Sequence, residues 1–249
     1  MAYSIDSLME DLRNMGIAEG DTLLVHSSLR RIGETEKRAD GIIEALSGVL
    51  GTSGLLMLPV LTYECSAASN PVYDYRTTPA LTGTLPNLFL KYPGVVRSLH
   101  PTHSVAVLGK NAEEFIAGHE NFDTPCSQGS PWGKFLKQHG KILFIGCSLC
   151  NNTFLHAVEE WHDNIGISQE AEMLYTIMPD GSRKAVPSRR HIGNHSHWYD
   201  KIRPLLEDGG ALTCGKFGNA ECFLLDAVKT AEIANKCLDE NPDYFTASP

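Results

Sequence analysis

Apolar residues along this chain follow two spacings, one typical of helices and one typical of strands. Near the N-terminus five apolar side chains recur every three or four positions behind Ser4, which can cap a helix, and Gly16 can end it. These five residues are Ile5, Leu8, Met9, Leu12 and Met15. The next apolar run, residues 22–25, is short and β-rich and stops at polar residues, so we predict a strand there.

The same alternation continues to the C-terminus. Helices are predicted at 42–50 and 82–91 and from about 198 and 227, and strands at 55–61, 105–108, 141–145, 173–177, 183–186 and within 211–225. A Pro-Asp-Gly turn at 179–181 joins two of these strands as a hairpin. This order of elements favours an α/β fold, a three-layer α/β/α sandwich with a central mixed sheet. No repeat or linker divides the chain, so we predict one domain, residues 1–249.

Residues 62–80 interrupt this pattern. They follow neither spacing and contain two prolines, so we predict a long surface loop. Such loops commonly contact substrates, and Tyr63 and Asp74 are the candidate substrate-binding residues in this one.

Composition narrows the class of protein. The content of 42% hydrophobic and 20% charged residues is that of a globular protein. A formal net charge of -9 argues against a nucleic-acid partner; it suits a cationic substrate, although acidity also simply keeps a protein in solution. The seven scattered cysteines do not form a disulfide framework, which fits a reducing compartment. No apolar run could cross a membrane, and the N-terminal segment carries acids rather than a basic leader, so we expect a cytoplasmic protein without a membrane partner.

Two polar segments flank predicted strands and could bind an anion. Residues 23–33, LLVHSSLRRIG, place small hydroxyl residues and free backbone N–H groups after a strand. Residues 95–107, VVRSLHPTHSVAV, gather Arg97, Ser98, His100, His103 and Ser104 before a strand, and an arginine offers a fork of donors for phosphate or carboxylate. The alternative for each segment is an ordinary structured turn.

A third segment could supply a general base. After the strand at 141–145 and a polar turn, Asn152 or Thr153 can cap a helix that carries His156 and Glu159 three positions apart on one face. A carboxylate at this spacing can orient an imidazole and stabilise its protonated form. The alternative is a solvated helix face with an incidental ion pair.

Two further motifs are weaker. Cys147 and Cys150 form a CxxC motif, but no second CxxC completes a zinc site and no basic helix follows for redox work. The run at 191–197 spaces its histidines like metal ligands, so a metal-dependent hydrolase remains the alternative. That site would use His191, His195, His197 and Asp200. Motifs for nucleotide hydrolysis and dinucleotide binding are absent.

Taken in order, six segments resemble the aminoglycoside 3-N-acetyltransferase family over nearly the whole chain. They are LLVHSSLRRIG, LMLPVLTYE, TPALTGTLPNLFLKYPGVVRSLHPTHSVAVLG, SPWGKFLKQHGKILFIGC, NNTFLHAVEE and GKFGNAECFLLDA. The resemblance implies an acyltransferase that moves an acetyl group from acetyl-coenzyme A (acetyl-CoA) to an amine, with no metal. The implied partner is a small-molecule amine acceptor, and a second copy of the chain, as a homodimer, is a further candidate.

The same resemblance implies roles for individual residues. His156 would be the general base, oriented by Glu159, and Glu160 would contact the acceptor. The cofactor would be bound by two loops and by the hydroxyl ahead of the base: His26, Ser27, Ser28, Leu29, Arg97, Ser98, His103, Ser104 and Thr153. The chain departs from the family pattern at Asn87 and Leu90, where members that modify antibiotics generally carry Glu and Arg. An acceptor other than an aminoglycoside therefore stays open.

Overall fold

The computed structural model describes residues 2–67, 71–163 and 165–246. Its strands are β1 (Thr22–Ser27), β2 (Leu55–Pro59), β3 (Val72–Asp74), β4 (Val96–Arg97), β5 (Val105–Gly109), β6 (Lys141–Ile145), β7 (Glu172–Ile177), β8 (Arg183–Ser188), β9 (Leu212–Phe217) and β10 (Ala220–Asp226). Its α-helices are α1 (Ile5–Asn14), α2 (Leu29–Ile32), α3 (Ala39–Leu50), α4 (Thr84–Phe89), α5 (Ala112–Ile116), α6 (Pro131–Lys137), α7 (Thr153–Trp161), α8 (Arg203–Asp208) and α9 (Ala227–Glu240). Within the described ranges no helix is long and apolar enough to span a bilayer.

Seven strands form the central sheet, in the order β4-β5-β2-β1-β6-β10-β9. The three in the middle, β2, β1 and β6, are parallel to one another. The strands outside them are antiparallel to their neighbours. The predicted mixed sheet is confirmed, and its parallel centre is what sets the position of the functional site.

Helices cover both faces of this sheet, as the three-layer prediction requires. Leu23 and Val25 of β1 point to one face and pack with α1, α3 and α4, while Leu24 between them points to the other. There it packs with α5 to α9. Fully burying one such leucine stabilises the fold by about 1.5–3 kcal/mol. The uniformly apolar run of β1 therefore reflects a strand that is buried on both faces.

One helix start was predicted correctly from a local signal and another was not. Ser4 does cap α1, since its Oγ accepts a hydrogen bond from the N–H of Ser7 at 3.1 Å. The helix predicted from about 198 is wrong in type: His195–Ile202 is a 3-10 helix, and the α-helix, α8, begins only at Arg203.

The prediction of a structureless loop at 62–80 is also wrong. Tyr63–Ala67 is a 3-10 helix, and residues 72–74 form β3, which pairs in parallel with β7 in a second, three-stranded sheet of order β3-β7-β8. Tyr73 of β3 is fully buried, and its hydroxyl donates to the carbonyl of Ser98 at 2.9 Å. Because β3 has only three residues and its partner lies far along the chain, its own sequence carries no clear strand pattern. Residues 68–70 of the predicted loop lie outside the described residues.

Candidate active site

The carboxyl ends of the three parallel strands meet at one edge of the central sheet. β5 is antiparallel to β2, so its first residue, Val105, lies at the same edge beside Pro59. In open α/β sheets, ligands bind outside this edge. The segments 26–29 and 97–104 and the start of α7 all lie along it.

The turn after β6 delivers α7 to this edge. Gly146 has a φ of +64°, and a Cβ there would lie 2.5 Å from the Cβ of Arg31, so the turn requires glycine on both counts. Asn152 then caps the helix, its Oδ1 accepting from the N–H of Phe154 at 3.2 Å. His156 follows one turn later, with 21% of its side chain exposed.

A buried tyrosine links His156 to Glu159. The two side chains approach no closer than 3.6 Å, between Nδ1 and Oε2, which is too long for a hydrogen bond. The phenol oxygen of Tyr199 lies between them, 2.6 Å from His156 Nδ1 and in hydrogen-bonding contact with Glu159 Oε2. The prediction paired the histidine and the glutamate directly; the structure places Tyr199 between them.

The remaining oxygen of Glu159 also has a partner. His195 Nδ1 donates to Oε1 at 2.6 Å. Burial alone would raise the pKa of Glu159, but the hydrogen bonds from its neighbours outweigh it and lower the pKa to about 2. Glu159 is therefore ionised and acts only as an acceptor, so Tyr199 must donate its one proton to it. Tyr199 can then only accept from His156 Nδ1, which leaves Nε2 of His156 as the basic nitrogen.

A row of histidines continues from His156 into the interior. The ring of His191 stacks on that of His156, with centroids 4.6 Å apart and planes at 16°. His191 Nδ1 lies 3.2 Å from His103 Nε2, and His103 Nδ1 lies 3.0 Å from the hydroxyl of Thr102. Burial lowers the pKa of His191 and of His103 well below the ordinary range, so both rings are neutral.

The segment 26–29 combines one buried ring with half-exposed residues. His26 is buried at the end of β1, where it stacks on Phe144 at 4.8 Å, and burial lowers its pKa to about 3. Ser27, Ser28 and Leu29 are half-buried. Thr153, the first residue of α7, is 5% exposed.

The segment 97–104 is held by inward-facing hydrogen bonds. Arg97 is 6% exposed, and its guanidinium donates to the carbonyls of Val60, Tyr75 and Thr78 and to the hydroxyl of Ser104. The Ser98 hydroxyl lies 2.9 Å from Nδ1 of His119 and accepts from the N–H of Val105. These side chains fix the shape of the loop, and their contact with a cofactor stays a prediction.

The predicted acceptor residues are not gathered at one point. Tyr63 is exposed, Asp74 forms an ion pair with Arg76 at 3.0 Å, and Glu160 is a buried residue of α7. A cavity of about 870 Å³ lies beside the 97–104 loop. Arg97 and Asn87 line it, but His156 does not.

The residues of the alternative hydrolase site do not converge. His195 contacts Glu159, while Asp200 accepts from the N–H of Leu149 and from the thiol of Cys150. Among the described residues, the four proposed ligands of the hydrolase form no common metal site.

The CxxC motif shows no sign of redox or metal chemistry. Burial raises the pKa of the Cys147 thiol to about 12, and Cys147 and Cys150 are both free.

Sequence reasoning identified His156 and Glu159 but missed Tyr199. A histidine and a glutamate on one helical turn are visible as a motif. Tyr199 lies 43 positions after His156, on the 3-10 helix, and no spacing rule connects them. The histidines at 191, 195 and 197 were considered as metal ligands, whereas His195 in fact donates a hydrogen bond to Glu159.

Comparison with known proteins agrees with this architecture. A family model described as aminoglycoside 3-N-acetyltransferase matches residues 24–239. The chain is 32% identical to aminoglycoside N(3)-acetyltransferase III of Salmonella sp, covering 98% of this chain and 93% of that protein. It is 26% identical to the prophage-derived aminoglycoside N(3')-acetyltransferase-like protein YokD of Bacillus subtilis (strain 168), covering 94% and 92%.

Solved structures show the same fold. A histidine-to-alanine variant of aminoglycoside acetyltransferase AAC(3)-IVa in complex with gentamicin superposes with a TM-score of 0.87 at 25% identity, over 100% of this chain and 93% of that one. AAC-IIIb in binary complex with CoASH gives 0.86 at 26% identity, over 100% of both chains. The family match spans most of the sequence, and the chain therefore belongs to the aminoglycoside 3-N-acetyltransferase family, a family of acyltransferases.

Proposed function

We propose that this protein transfers an acetyl group from acetyl-CoA to the 3-amino group of an aminoglycoside antibiotic, with His156 as general base. The observation that carries the proposal is the Tyr199-linked pair of His156 and Glu159 at the ligand-binding edge of the sheet. Family relatives support the two substrates. AAC-IIIb has been solved with CoASH, and AAC(3)-IVa and AAC-VIa with gentamicin and sisomicin.

His156 acts through Nε2. An amine is mostly protonated at neutral pH, so a base must remove a proton before or during attack. The ammonium first loses one proton to solvent, and His156 Nε2 then takes a second proton from the free amine as its nitrogen bonds to the thioester carbonyl carbon. The carbon–sulfur bond breaks, and the proton passes to the departing sulfur, which gives the amide and free CoA. The reaction requires neither a metal nor a covalent acyl-enzyme.

The partners of His156 stabilise its charged form. Proton uptake at Nε2 makes the ring a cation, and the ionised Glu159 stabilises its positive charge through the hydroxyl of Tyr199. His195 holds the other carboxylate oxygen, so Glu159 cannot rotate away. The network is thus arranged before substrate binds, which is the condition for electrostatic stabilisation of a transition state.

Acetyl-CoA would lie along the edge formed by 26–29 and 97–104. Ser27, Ser28 and Leu29 are half-exposed there and would contact the cofactor directly, while the buried ring of His26 would support the strand end that carries them. The donors of Arg97 are engaged with carbonyl groups, so its main contribution would be to hold the shape of the loop that carries Ser98, His103 and Ser104. Thr153, just ahead of His156, would contact the thioester.

A second candidate is an amine less charged than an aminoglycoside. A polycationic acceptor requires several available carboxylates, yet Asp74 is paired with Arg76 and Glu160 is buried. Tyr63 and Asp74 would then line the entrance for a smaller amine. Release of CoA thiol with acetyl-CoA and a panel of aminoglycosides and simple polyamines separates the two acceptor classes.

The assignment of His156 is tested on the same assay. We expect His156→Ala to lower kcat by about 10²–10⁴, the usual contribution of a general base, with CoA affinity nearly unchanged by calorimetry. The exposed His197 provides a matched control, and His197→Ala should turn over like the wild type. If His156→Ala keeps more than about a tenth of wild-type kcat, the base lies elsewhere.

A further inference from the structure

Three buried or half-buried side chains of different chemistry lie close together beside α7. Cys126, in the loop before α6, is fully buried, Glu160 is on α7, and His191 lies in the segment after β8. One ligand atom of each, a sulfur, a carboxylate oxygen and an imidazole nitrogen, lies within 4.8 Å of the other two. The cluster takes no part in the proposed proton transfer through His156.

Two polar atoms of this cluster lack hydrogen-bond partners. Glu160 Oε1 and His191 Nε2 are both buried and make no hydrogen bond among the described residues. Burial raises the pKa of Glu160 to about 7 despite the nearby Thr124 hydroxyl, and that hydroxyl does not hydrogen-bond to Oε1. An unpaired polar atom in the interior costs about 1–3 kcal/mol. Two such atoms beside a buried thiol suggest that a further group belongs between them.

The surrounding bonds orient these atoms as metal ligands. Glu160 Oε2 accepts from the N–H of Cys126 at 2.8 Å, and the indole of Trp161 donates to the carbonyl of Cys126 at 2.7 Å, so the cysteine is held from both sides. His191 Nε2 faces Glu160 Oε2 at 3.6 Å, which is too long for a hydrogen bond, and His191 Nδ1 contacts His103 Nε2. Metal-bound histidines commonly have their other ring nitrogen held in this way.

We propose that Cys126, Glu160 and His191 bind one divalent transition-metal ion of the zinc class. A mixed set of sulfur, nitrogen and oxygen ligands suits Zn²⁺ or Co²⁺ rather than Mg²⁺ or Ca²⁺, which prefer oxygen alone. Three protein ligands leave a fourth position for water. The charge also balances, because a thiolate and a carboxylate together neutralise a divalent cation.

This site differs from the hydrolase site considered from sequence, since it shares only His191 with it. It also departs from the expectation of a metal-free protein, but it assigns the ion no step in acetyl transfer. Because the ring of His191 stacks on that of His156, the ion would hold in place the surface against which the catalytic base packs.

Cobalt binding tests the proposal independently of activity. The full chain, freed of metal with a chelator, should bind one equivalent of Co²⁺ and show thiolate-to-cobalt charge-transfer absorption. Cys126→Ser should abolish that absorption and weaken Zn²⁺ binding at least about tenfold. Cys222→Ser is the matched control, because Cys222 is equally buried but packs on the opposite face of the sheet, and it should retain both properties.

A second measurement needs no variant. X-ray absorption of the zinc-loaded wild type should show one sulfur at about 2.3 Å and nitrogen or oxygen ligands at about 2.0–2.2 Å. The proposal is overturned if the wild type binds no stoichiometric Co²⁺, if the ligand shell contains no sulfur, or if Cys126→Ser binds metal as the wild type does. The first of these outcomes would identify Glu160 as a buried, protonated acid.

Discussion

Tyr199→Phe isolates the contribution of the phenol between His156 and Glu159. The substitution removes one oxygen atom and keeps the buried ring, so the packing of Tyr199 against Phe245 is preserved. It takes away two hydrogen bonds, the one that holds Nδ1 of His156 and the one that Glu159 accepts. His156 and Glu159 are then left 3.6 Å apart with nothing to join them.

The expected effect follows from the strength of these bonds. A hydrogen bond to a charged group contributes about 1.5–3 kcal/mol net, and each 1.36 kcal/mol of lost transition-state stabilisation lowers the rate about tenfold. We therefore expect kcat to fall about ten- to hundredfold, less than for loss of the base itself. KM for acetyl-CoA should stay close to the wild-type value, because the phenol faces the base and not the cofactor loops.

Steady-state CoA release measures both constants, with a thermal melt to confirm that the variant is folded. Tyr3→Phe provides the control, since the Tyr3 hydroxyl makes an equally short hydrogen bond, 2.6 Å, to Asn219 near the N-terminus. A Tyr199→Phe enzyme with kcat within about twofold of wild type would refute the relay, because a twofold change is well below the contribution of one charged hydrogen bond.

Three further outcomes are expected. CoA at a hundredfold excess over Kd should add about 2.7 kcal/mol to the free energy of unfolding, so an unchanged melting temperature in millimolar CoA would argue against the binding edge. The pKa of His26, 6.5 when unfolded and about 3 when folded, means that the unfolded state takes up a proton first as the pH falls. From this residue alone, the free energy of unfolding should fall by about 1.4 kcal/mol per pH unit between pH 6.5 and about pH 3. In His26→Phe, the free energy from urea unfolding should change with pH less steeply by that amount. Replacing Cys147 and Cys150 together by serine should leave turnover largely intact, and a folded but inactive double variant would contradict the interpretation of the CxxC motif.

Features encoded locally could be predicted from the sequence, whereas features made by distant segments could not. The cap at Ser4 and the buried run of β1 each depend on a few adjacent residues. The three-residue β3 depends instead on pairing with β7, about a hundred positions later. Three residues are too few for their strand propensity to predict the strand.

The same division holds within the site. His156 and Glu159 lie on one helical turn, and their spacing alone identified them as a pair. Whether that pair is direct depends on Tyr199, which reaches it only through the packing of the 3-10 helix at residues 195–202. Glu160, the next residue along, points about 100° away around the helix and accepts from the N–H of Cys126 instead.

The turn at 179–181, which closes the hairpin of β7 and β8, also divides the chain between two groups of site residues. It is exposed, and it separates the stretch of chain that carries His156 and Glu159 from the stretch that carries Tyr199 and His195. A cut at this turn would leave the base on one fragment and the residues that support it on the other. Acetyl transfer by the two fragments together, and by neither alone, would then report their reassociation, so the protein contains a natural split point for a complementation assay.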